Sequence, residues 1–566
     1  MKTIIVGGVA GGASAAARLR RLDEDMDIVL LERGEHISYA NCGLPYYIGG
    51  EITDRDELTL MTPESFRRRF RVDVRVQNEA VAIDPKRRVV TIKDDATGNT
   101  YEETYDKLIL SPGAEPVRPP LPGIDDRRVF TLRTIPDTFA IHDYIAAAKP
   151  RRAVVVGGGF IGLEMAENLK RAGLDITVVE FADHVIGPLD LDVAADVHQY
   201  LREQGVHLKL KHAVKAFHPA AESLGVELDD AQVLAADLVL MSVGVRPDSA
   251  LALKAGIELN LRGAIVVDEH MRTSIPDIYA VGDAIEIKNL VSGAPGYIPL
   301  AGPANKQGRI AADHIAGIES AYRGTQGSSV MKLFDMTIAA TGLNEAAAAA
   351  ANLDYDVVHT YPASHAGYYP GATGMHIKAL FDKATGRILG AQLAGFEGVD
   401  KRADVLATAI RAGMRAYDLA ELELCYAPPF SSAKDPVNMV GFVIENLLTD
   451  KLRQFHWHDV AGVLEDPNAV LLDVRTDYEY GAGHIGGALH IPLDDLRERL
   501  GELDRGKTVY VYCQSGLRSY AACRILTQRD FRCLNLSGGY ALYEVMKLNG
   551  SLEREAPLPC GAKKQS

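Results

Sequence analysis

Two stretches of the chain share one order of apolar and polar positions. Residues 2–33 and residues 151–180 each read as a short apolar strand, a glycine turn, a helix and a second strand that ends in an acidic residue. This order predicts two βαβ units of the dinucleotide-binding type, and hence two nucleotide cofactors. The stretch between them is rich in strand-like segments and turn signals, such as DDATGN at residues 94–99.

The pattern changes after residue 325. Strand-like runs at 329–342 and 375–395 enclose a predicted helix at 344–352, which contains six consecutive alanines. Alanine is the strongest helix former, so this run needs no functional explanation. Two further helices are predicted near 400–413 and 437–448. Together these elements predict an α+β unit.

A separate α/β domain is predicted from about residue 455. It alternates strands and helices, which we place at 469–475, 493–503, 508–513 and 519–528. Because the alternation starts afresh here, we expect the domain to be appended to the units before it.

Length and composition set outer limits. A chain of 566 residues exceeds one hydrophobic core and suggests roughly three to five domains. A formal net charge of -15 disfavours nucleic acid as a partner, because phosphate binding requires a basic face. No apolar run reaches transmembrane length, and the glycines directly after Val6 argue against a signal peptide. We therefore expect neither a nucleic acid nor a membrane as partner.

The cysteines are few and scattered, with no CxxC motif and no zinc-finger spacing. We therefore expect no metal site and no secreted disulfide scaffold, and a cytoplasmic, reducing location. Four of the six are expected to be structural or incidental: Cys425, Cys523, Cys533 and Cys560.

The second glycine turn is a complete GxGxxG motif, formed by Gly157, Gly159 and Gly162. The first glycine permits the turn, the second lets a pyrophosphate approach the backbone, and the third lets helix and strand pack closely. The pyrophosphate is expected at the helix N-terminus, where free N–H groups favour negative charge. Glu180 ends the next strand, and a carboxylate there favours NADH over NADPH. The alternative is a glycine turn that binds no ligand.

The first glycine turn is less regular. Gly7 and Gly12 fit the outer positions, whereas Val9 occupies the middle one. Glu32 at the end of the following strand supports a nucleotide site. A later segment, TSIPDIYAVGD at 273–283, ends in Asp283, which can reach a sugar or ribityl hydroxyl. Taken alone, Asp283 also fits an ordinary turn aspartate.

Cys42 lies in the string SYANCGLPY at residues 38–46. A single cysteine is usually an inert buried residue. Here Pro45 suits the first turn of a helix, and a helix N-terminus lowers the pKa of a thiol and favours the thiolate. We therefore expect Cys42 to be the reactive thiol of this chain.

Taken together, these residues resemble the pyridine nucleotide–disulfide oxidoreductases over roughly residues 1–445. The usual redox pair is absent, because no second cysteine follows Cys42 four or five residues on. The single-cysteine branch includes coenzyme A-disulfide reductases, NADH oxidases and NADH peroxidases. The string around Cys42 and the segments at 365–370 and 425–438 are most similar to the coenzyme A-disulfide reductases.

The resemblance implies a role for many residues by position. Cys42 would form a mixed disulfide with coenzyme A, and Tyr368 and Tyr426 would reach the active site across a dimer interface. Arg18 and Arg21 lie three apart and share a helix face, which fits either phosphate binding or a solvated basic surface. The expected FAD- and NADH-binding residues are Gly7, Gly12, Glu32, Arg33, Ser111, Gly113, Asp283, Gly157, Gly159, Gly162 and Glu180. The expected coenzyme A-binding residues are Ser14, Arg18, Arg21, Ser38, Asn41 and Lys434.

The appended domain carries a second reactive cysteine. Cys513 follows a strand and precedes a helix, and Arg518 closes the four-residue loop after it. A cysteine in a loop of N–H groups with an arginine is an anion site that stabilises a thiolate. With the motifs at 472–475 and 483–488, the segment 455–555 resembles rhodanese domains. A phosphatase could use a similar loop, but this loop has the shorter, sulfur-handling form. An inactive rhodanese is the other alternative.

The expected fold class is α/β, with two Rossmann-like nucleotide-binding domains, an α+β dimerisation domain and a C-terminal α/β rhodanese domain. We expect the function to be FAD-dependent NAD(P)H reduction of coenzyme A disulfide, coenzyme A persulfide or polysulfide by a homodimer. The alternatives are an NADH oxidase or peroxidase with a Cys42 sulfenic acid, or a sulfur-carrier protein. The expected domains are FAD-binding at 1–112 and 242–325, NAD(P)H-binding at 113–241, dimerisation at 326–445, a linker at 446–454, and rhodanese at 455–566.

Overall fold

The computed structural model describes residues 1–260 and 262–550. The chain divides into two compact units. The first comprises Met1–Asp183 and Gly205–Gly327, and the second comprises His184–Gln204 and the described residues from Ser328 onward. Cys560 and the last part of the predicted rhodanese domain lie outside the described residues.

The first unit contains two five-stranded parallel sheets. One has the strand order Ile278–Ala280, Lys107–Leu110, Lys2–Val6, Asp27–Leu31, Asp73–Arg75. The other has the order His207–Leu210, Asp175–Glu180, Arg152–Val156, Leu238–Met241, Val129–Phe130. The central strands are continuous apolar runs because a parallel sheet with helices on its faces is buried on both sides. Ile4, Ile5 and Val155 are accordingly inaccessible to solvent.

Helices and small antiparallel sheets complete the first unit. The helices are Ala10–Leu22, Leu44–Ile48, Pro63–Phe70, Ile135–Ala148, Phe160–Arg171, Ala250–Lys254 and Ala301–Ile315. The three-stranded sheets are Asn78–Asp84, Val89–Asp94, Thr100–Thr104 and Val214–Pro219, Leu224–Leu228, Val233–Ala236. Two short strand pairs are Ala114–Pro116 with Val245–Pro247, and Ile287–Lys288 with Pro295–Gly296.

The second unit combines an antiparallel and a parallel sheet. The antiparallel sheet has the order Ser329–Leu333, Met336–Gly342, Ile388–Gly395, Met375–Asp382, Tyr355–Thr360. Helices Leu191–Glu203, Glu345–Ala350, Val399–Ala412, Ala416–Glu421 and Pro436–Leu448 accompany it. The parallel sheet has the order Gln454–Phe455, Arg532–Leu536, Thr508–Tyr512, Ala469–Asp473, Leu489–His490. Helices Val460–Glu465, Asp477–Ala482, Leu517–Thr527 and Gly539–Leu548 accompany this sheet.

The predicted helix at 493–503 is wrong. The segment forms consecutive turns, whose N–H groups mostly bond to carbonyls three residues back, and it includes the short 3-10 helix Leu500–Glu502. These turns still bury Leu496 and Leu503, because leucines three or four residues apart fit a chain of tight turns as well as an α-helix. Among the described residues, no helix combines the length and apolarity needed to cross a membrane.

Candidate active sites

The two glycine turns are built alike. Gly7 and Gly157 open them with positive φ angles of 100° and 106°. A Cβ added to Gly7 would lie 2.0 Å from the Ser111 carbonyl oxygen, and one added to Gly157 would lie 2.2 Å from that of Ser242. Both turns therefore require glycine for the fold itself.

The third glycine of each motif also serves packing. A Cβ on Gly12 would lie 1.9 Å from the Gly7 oxygen, and one on Gly162 would lie 2.0 Å from the Gly157 oxygen. Gly159 differs, because its added Cβ would meet no atom within 4 Å. The open space at Gly159 therefore suits a ligand approaching the N-terminus of the helix Phe160–Arg171.

The predicted ribose-binding carboxylates are held in the same way. Glu32 accepts hydrogen bonds from the N–H groups of Gly8 and Gly34, both at 2.9 Å. Glu180 accepts from Gly158 at 2.6 Å and from Ala182 at 2.8 Å. Each carboxylate is thereby fixed at its strand end, beside the glycine turn where a nucleotide ribose would lie.

The remaining predicted cofactor residues surround the first turn. Ser111 closes on Gly7 through its carbonyl, and Gly113 adopts a positive φ of 77°. Arg33 forms ion pairs with Glu115 at 2.7 Å and Asp248 at 3.1 Å. Two protein carboxylates therefore partly neutralise the charge of Arg33, whose side chain is still accessible to a ligand.

Asp283 is suited to binding a ligand hydroxyl. It lies in the short turn Gly282–Ala284, just after the strand Ile278–Ala280. Its backbone carbonyl accepts from the Tyr297 hydroxyl at 2.9 Å, but the described residues offer its carboxylate no hydrogen-bond partner. Burial raises the pKa of Asp283, while the positive charge of Arg133 opposes that rise. A polyhydroxylated ligand would supply the missing donors.

Cys42 lies on the turn Asn41–Gly43, directly before the helix Leu44–Ile48. Its side chain is exposed. The expected lowering of its pKa is wrong for the protein alone. Crowding by protein atoms raises the pKa of Cys42, and the negative charges of Glu164 and Asp283 add to the rise. A helix of five residues does not outweigh two carboxylates.

Glu164 is a candidate functional residue that sequence reasoning missed. It lies on the helix Phe160–Arg171, and burial raises its pKa to about 7, with a further contribution from Glu167. The same carboxylate affects the pKa of Cys42 and that of Tyr46, which burial raises to about 12. The only signal in the sequence is its position two residues after the last glycine of the GxGxxG motif.

The residues of the first unit that are predicted to bind coenzyme A differ in whether they already have a partner within the protein. Ser14 hydrogen bonds to Asn305, and Arg18 forms an ion pair with Asp313 at 2.6 Å. Arg21 is exposed and has no partner among the described residues. Ser38 adopts a positive φ of 47°, and its N–H bonds to the Gly8 carbonyl, which fixes the segment that leads to Asn41 and Cys42. Arg21 is thus the arginine more available to a phosphate.

In the second unit, the two predicted tyrosines meet. The hydroxyls of Tyr368 and Tyr426 lie 2.9 Å apart, although the residues are 58 positions apart in sequence. Both are exposed, at 76% and 46%. Mutual hydrogen bonding raises the pKa of Tyr368. Phe430 is 70% exposed, so this face presents aromatic rings to solvent.

A buried arginine fixes the two loops that carry these tyrosines. Arg402 donates to the Asp435 carboxylate at 2.9 Å and to the Ser364 carbonyl at 3.0 Å. It also donates to the Ser431 hydroxyl at 3.0 Å. Lys434, beside Asp435, remains exposed. The tyrosine pair therefore lies on a rigid support.

Cys513 lies at the end of the strand Thr508–Tyr512 and is 1% exposed. Its Sγ accepts from the Gly516 N–H at 3.2 Å and from the Ser519 hydroxyl at 3.3 Å. Arg518 forms two hydrogen bonds to Glu479, of which one measures 2.7 Å. Hydrogen bonding by Arg518 lowers the pKa of Glu479 to about 2. The loop thus presents a donor-lined sulfur and an arginine that already has a carboxylate partner.

Comparisons with known proteins match the chain along most of its length. The pyridine nucleotide-disulphide oxidoreductase family model matches residues 1–308, and the dimerisation domain model of that family matches residues 328–436. The rhodanese-like domain model matches residues 457–545.

Individual relatives agree with the family models. The chain is 35% identical to the coenzyme A disulfide reductase of Staphylococcus haemolyticus (strain JCSC1435), over 79% of this chain and 100% of the relative. It is 37% identical to the NADH oxidase of Methanocaldococcus jannaschii, over 78% of this chain and 98% of that protein.

Two solved structures cover nearly the whole chain. The structure of reduced Bacillus anthracis CoADR-RHD has a TM-score of 0.95 and 49% identity, covering 97% of this chain and 98% of that chain. The NAD-dependent persulfide reductase from A. fulgidus has a TM-score of 0.90 and 38% identity, covering 96% and 100%. The predicted fold class is confirmed. The chain belongs to the pyridine nucleotide-disulphide oxidoreductase family and carries a rhodanese-like domain after its dimerisation domain.

Proposed function

We propose that this protein uses FAD and NADH, or NADPH, to reduce sulfur–sulfur bonds at Cys42. The observation that carries the proposal is the exposed Cys42 thiol, which lies within electrostatic reach of the Asp283 carboxylate and of the half-buried Glu164. The names of the relatives, coenzyme A disulfide reductase and NAD-dependent persulfide reductase, support the same reaction class.

The two glycine turns support two nucleotide sites. FAD is proposed to bind residues 1–112 and 242–325, with Glu32 holding its ribose and Asp283 a hydroxyl of its ribityl chain. NADH is proposed to bind residues 113–241, in the open space at Gly159, with Glu180 holding its ribose. The chemistry that FAD would supply there is two-electron transfer from NADH to the disulfide formed at Cys42.

The Cys42 thiolate attacks one sulfur of the substrate. With coenzyme A disulfide, the mixed disulfide Cys42–S–S–CoA forms and a coenzyme A thiolate leaves. With coenzyme A persulfide, attack on the inner sulfur gives the same mixed disulfide and releases hydrosulfide. Coenzyme A is proposed to bind Ser14, Arg18, Arg21, Ser38, Asn41 and Lys434. Because Arg18 is paired with Asp313, Arg21 supplies the more accessible positive charge.

Tyr368 and Tyr426 are proposed to serve the active site of a partner subunit in a homodimer formed through residues 326–445. Their hydrogen-bonded hydroxyls can donate a proton to the thiolate that leaves. Their exposure supports this role, because aromatic rings on a protein surface commonly mark an interface.

The rhodanese-like domain favours persulfides and polysulfides as the substrate class. Cys513, in its loop with Arg518, is proposed to carry sulfane sulfur. Fusion through the linker 446–454 raises the effective concentration of one site at the other. Within the described residues, every cysteine is a free thiol, which supports a reducing, cytoplasmic location.

The test is an anaerobic substrate panel followed by NADH loss and sulfide release. Coenzyme A persulfide or polysulfide should consume NADH and release sulfide, whereas coenzyme A disulfide should consume NADH without sulfide. The purified protein should show a flavin spectrum. A protein that is colourless and cannot be reconstituted with FAD, or a panel with no NADH loss, would overturn the proposal.

An NADH oxidase is the second candidate, since a relative at 37% identity carries that name. In that case NADH consumption requires oxygen, and Cys42 cycles through a sulfenic acid. A sulfur carrier is the third, and it would consume NADH with a small persulfide only when a partner protein is added.

A further inference from the structure

The arginine that ends the Cys513 loop is already paired with a carboxylate. Arg518 donates from its two terminal guanidinium nitrogens to the two oxygens of Glu479, at 2.7 Å and 2.5 Å. Such a two-pronged pair fixes the guanidinium in place and offsets its charge. An arginine in this position would otherwise attract an anionic sulfur donor toward Cys513. The positive charge that the loop offers to a donor therefore depends on Glu479.

Glu479 is held in this position by bonds of its own. It lies in the first turn of the helix Asp477–Ala482, and its carboxylate accepts hydrogen bonds from the Thr476 N–H at 3.0 Å and from the Thr476 hydroxyl at 2.8 Å. Hydrogen bonding by Arg518, and after it by Thr476, lowers the pKa of Glu479 to about 2. Glu479 is therefore ionised throughout the neutral pH range, and its partners keep it directed at Arg518.

The charge of Arg475, which also reaches the loop, is neutralised in the same way. This side chain is 2% exposed and donates to the side-chain oxygen of Gln514 at 3.2 Å. Its guanidinium lies 2.8 Å from the carboxylate of Asp473, which is inaccessible to solvent. Each of these two arginines is thus matched by one carboxylate, and together the four groups give the loop no net charge.

Neutral groups donate to the sulfur of Cys513. Its Sγ accepts from the Gly516 N–H at 3.2 Å and from the Ser519 hydroxyl at 3.3 Å. Two such donors suit the single negative charge of a thiolate or of a persulfide. Thiosulfate carries two negative charges, and the sulfite that would leave from it carries two as well. A donor of that kind needs a cation that is not already paired.

Exposed apolar side chains lie next to both members of the ion pair. Leu517 precedes Arg518 at the start of the helix Leu517–Thr527 and is 61% exposed. Tyr478 precedes Glu479 and is 86% exposed. A single exposed apolar residue is ordinary on a protein surface, but here two accompany one ion pair at a reactive loop. They offer contact surface to an organic group.

We propose that Glu479 determines which sulfur donor the Cys513 site accepts, by neutralising Arg518. The preferred donors are organic persulfides, which carry at most one charge on sulfur and an apolar group that can contact Leu517 and Tyr478. Thiosulfate is disfavoured. The inference rests on the role proposed above for Cys513 as a carrier of sulfane sulfur, and it adds the class of donor and the residue that selects it.

Both donors would react in one balanced step. The Cys513 thiolate attacks the outer sulfur of R–S–SH, so that Cys513–S–SH forms and R–S⁻ leaves with the electron pair of the broken bond. With thiosulfate, the same attack forms Cys513–S–S⁻ and releases sulfite as a dianion. Because sulfite carries one more negative charge than R–S⁻, a fixed carboxylate beside the loop disfavours its departure more strongly.

The test compares the two donors on the full-length Cys42→Ser protein without NADH, in which the proposed reductase site cannot consume them. Thiosulfate or benzyl persulfide is added anaerobically, the reaction is stopped with N-ethylmaleimide, and the tryptic peptide 508–518, which contains Cys513, is weighed for one extra sulfur atom. Benzyl persulfide should load Cys513 faster than thiosulfate does. Glu479→Gln should raise the ratio of the thiosulfate rate to the benzyl persulfide rate by about tenfold, because it removes one charge near a dianion.

Salt dependence separates selection by charge from a structural effect. In Glu479→Gln the thiosulfate rate should fall as ionic strength rises, because the released Arg518 attracts the dianion. Adding Arg518→Gln to Glu479→Gln should abolish the gain. Glu465→Gln is the matched control and should keep the original ratio. It removes an exposed carboxylate that precedes the strand Ala469–Asp473, at the opposite end of the parallel sheet from Cys513.

Further variants test the apolar contacts. Leu517→Ser and Tyr478→Ser should each slow loading from benzyl persulfide, and circular dichroism should show that every variant is folded. An unchanged ratio in Glu479→Gln, or thiosulfate loading as fast as benzyl persulfide loading before the substitution, would overturn the inference while Cys513 remains a carrier. Loading from neither donor would overturn the carrier role of Cys513 together with the inference.

Discussion

Cys42 is surrounded by negative rather than positive charge. Burial by protein atoms, and after it the charges of Glu164 and Asp283, raise the pKa of Cys42, so the protein alone holds the thiol mainly in its protonated form near neutral pH. Because burial raises the pKa of Glu164 to about 7, this carboxyl is about half ionised at neutral pH, and its effect on the pKa of Cys42 grows as the pH rises through 7. The ionisation of the Cys42 thiol is therefore linked to the protonation of Glu164 on the helix Phe160–Arg171.

Glu164→Gln should lower the pKa of Cys42, because it removes a nearby negative charge while keeping the size of the side chain. Alkylation of the Glu164→Gln protein should therefore accelerate at a lower pH than alkylation of the wild type. The measurement is the pH dependence of iodoacetamide alkylation, followed on the peptide that contains Cys42. Asp175→Asn, at an exposed strand end, is the control. An unchanged alkylation profile for Glu164→Gln would show that the two groups do not interact.

Two glycines of the GxGxxG turn are expected to have different roles: Gly159 in ligand binding and Gly162 in folding. Gly159 has a φ of -77°, open to any residue, and an added Cβ meets nothing, so Gly159→Ala should leave the thermal unfolding midpoint unchanged. It should raise the KM for NADH by about tenfold, which corresponds to ~1.4 kcal/mol of binding.

Gly162→Ala is the matched contrast. Its Cβ would lie 2.0 Å from the Gly157 oxygen, so the turn must move and the unfolding midpoint should fall. Gly159→Ala that lowers the midpoint as strongly as Gly162→Ala would contradict the assignment of a ligand space at Gly159.

The pair Glu479–Arg518 links the helices Asp477–Ala482 and Leu517–Thr527. The pKa of Glu479 is about 2 in the folded protein, below its unfolded value, so its stabilisation is present above pH ~4.5 and declines as the pH falls toward 2. Because both side chains are partly exposed, Glu479→Gln should cost only about 1 kcal/mol at pH 7. Urea unfolding at pH 7, 5 and 4 should show that the difference in free energy of unfolding between Glu479→Gln and the wild type becomes smaller as the pH falls. A gap that does not change with pH would exclude the ion pair as its cause.

Helices and strands were predictable from the sequence where the pattern of apolar and polar residues is accompanied by glycines that the backbone geometry of a turn requires. Both βαβ units were predictable from glycines at turn positions where a larger residue would clash with the backbone. Glu32 and Glu180 lie at the strand ends as expected. The segment 493–503 was not predictable, because leucine spacing does not distinguish an α-helix from a run of tight turns.

Contacts between residues far apart in the sequence were not predictable either. The pairing of Arg18 with Asp313 and the effect of Glu164 on Cys42 join residues more than 100 positions apart in sequence. No local pattern encodes such contacts. The spacing of apolar and polar residues likewise does not predict the Tyr368–Tyr426 hydrogen bond. Only the family resemblance singled out those two residues.

At the level of assembly, the exposed rings of Tyr368, Tyr426 and Phe430 predict a homodimer. Sedimentation velocity should give twice the mass of the chain. Tyr426→Ala should reduce turnover more than it reduces dimerisation, because its hydroxyl is proposed to act at the active site of the partner. An active monomer would contradict the assignment.

The last prediction distinguishes the roles proposed for Cys42 and Cys513. Cys42→Ser should abolish NADH-driven reduction of every sulfur substrate, while FAD binding survives because the proposed nucleotide contacts come from other residues. Cys513→Ser should remove any thiosulfate sulfurtransferase activity yet leave reduction of coenzyme A disulfide largely intact, since Cys513 lies in a separate parallel sheet without a nucleotide motif. It should slow only substrates whose sulfur passes through the loop that ends at Arg518. If Cys513→Ser eliminates coenzyme A disulfide reduction as completely as Cys42→Ser does, Cys513 is an obligatory member of the electron relay and the two-site model fails.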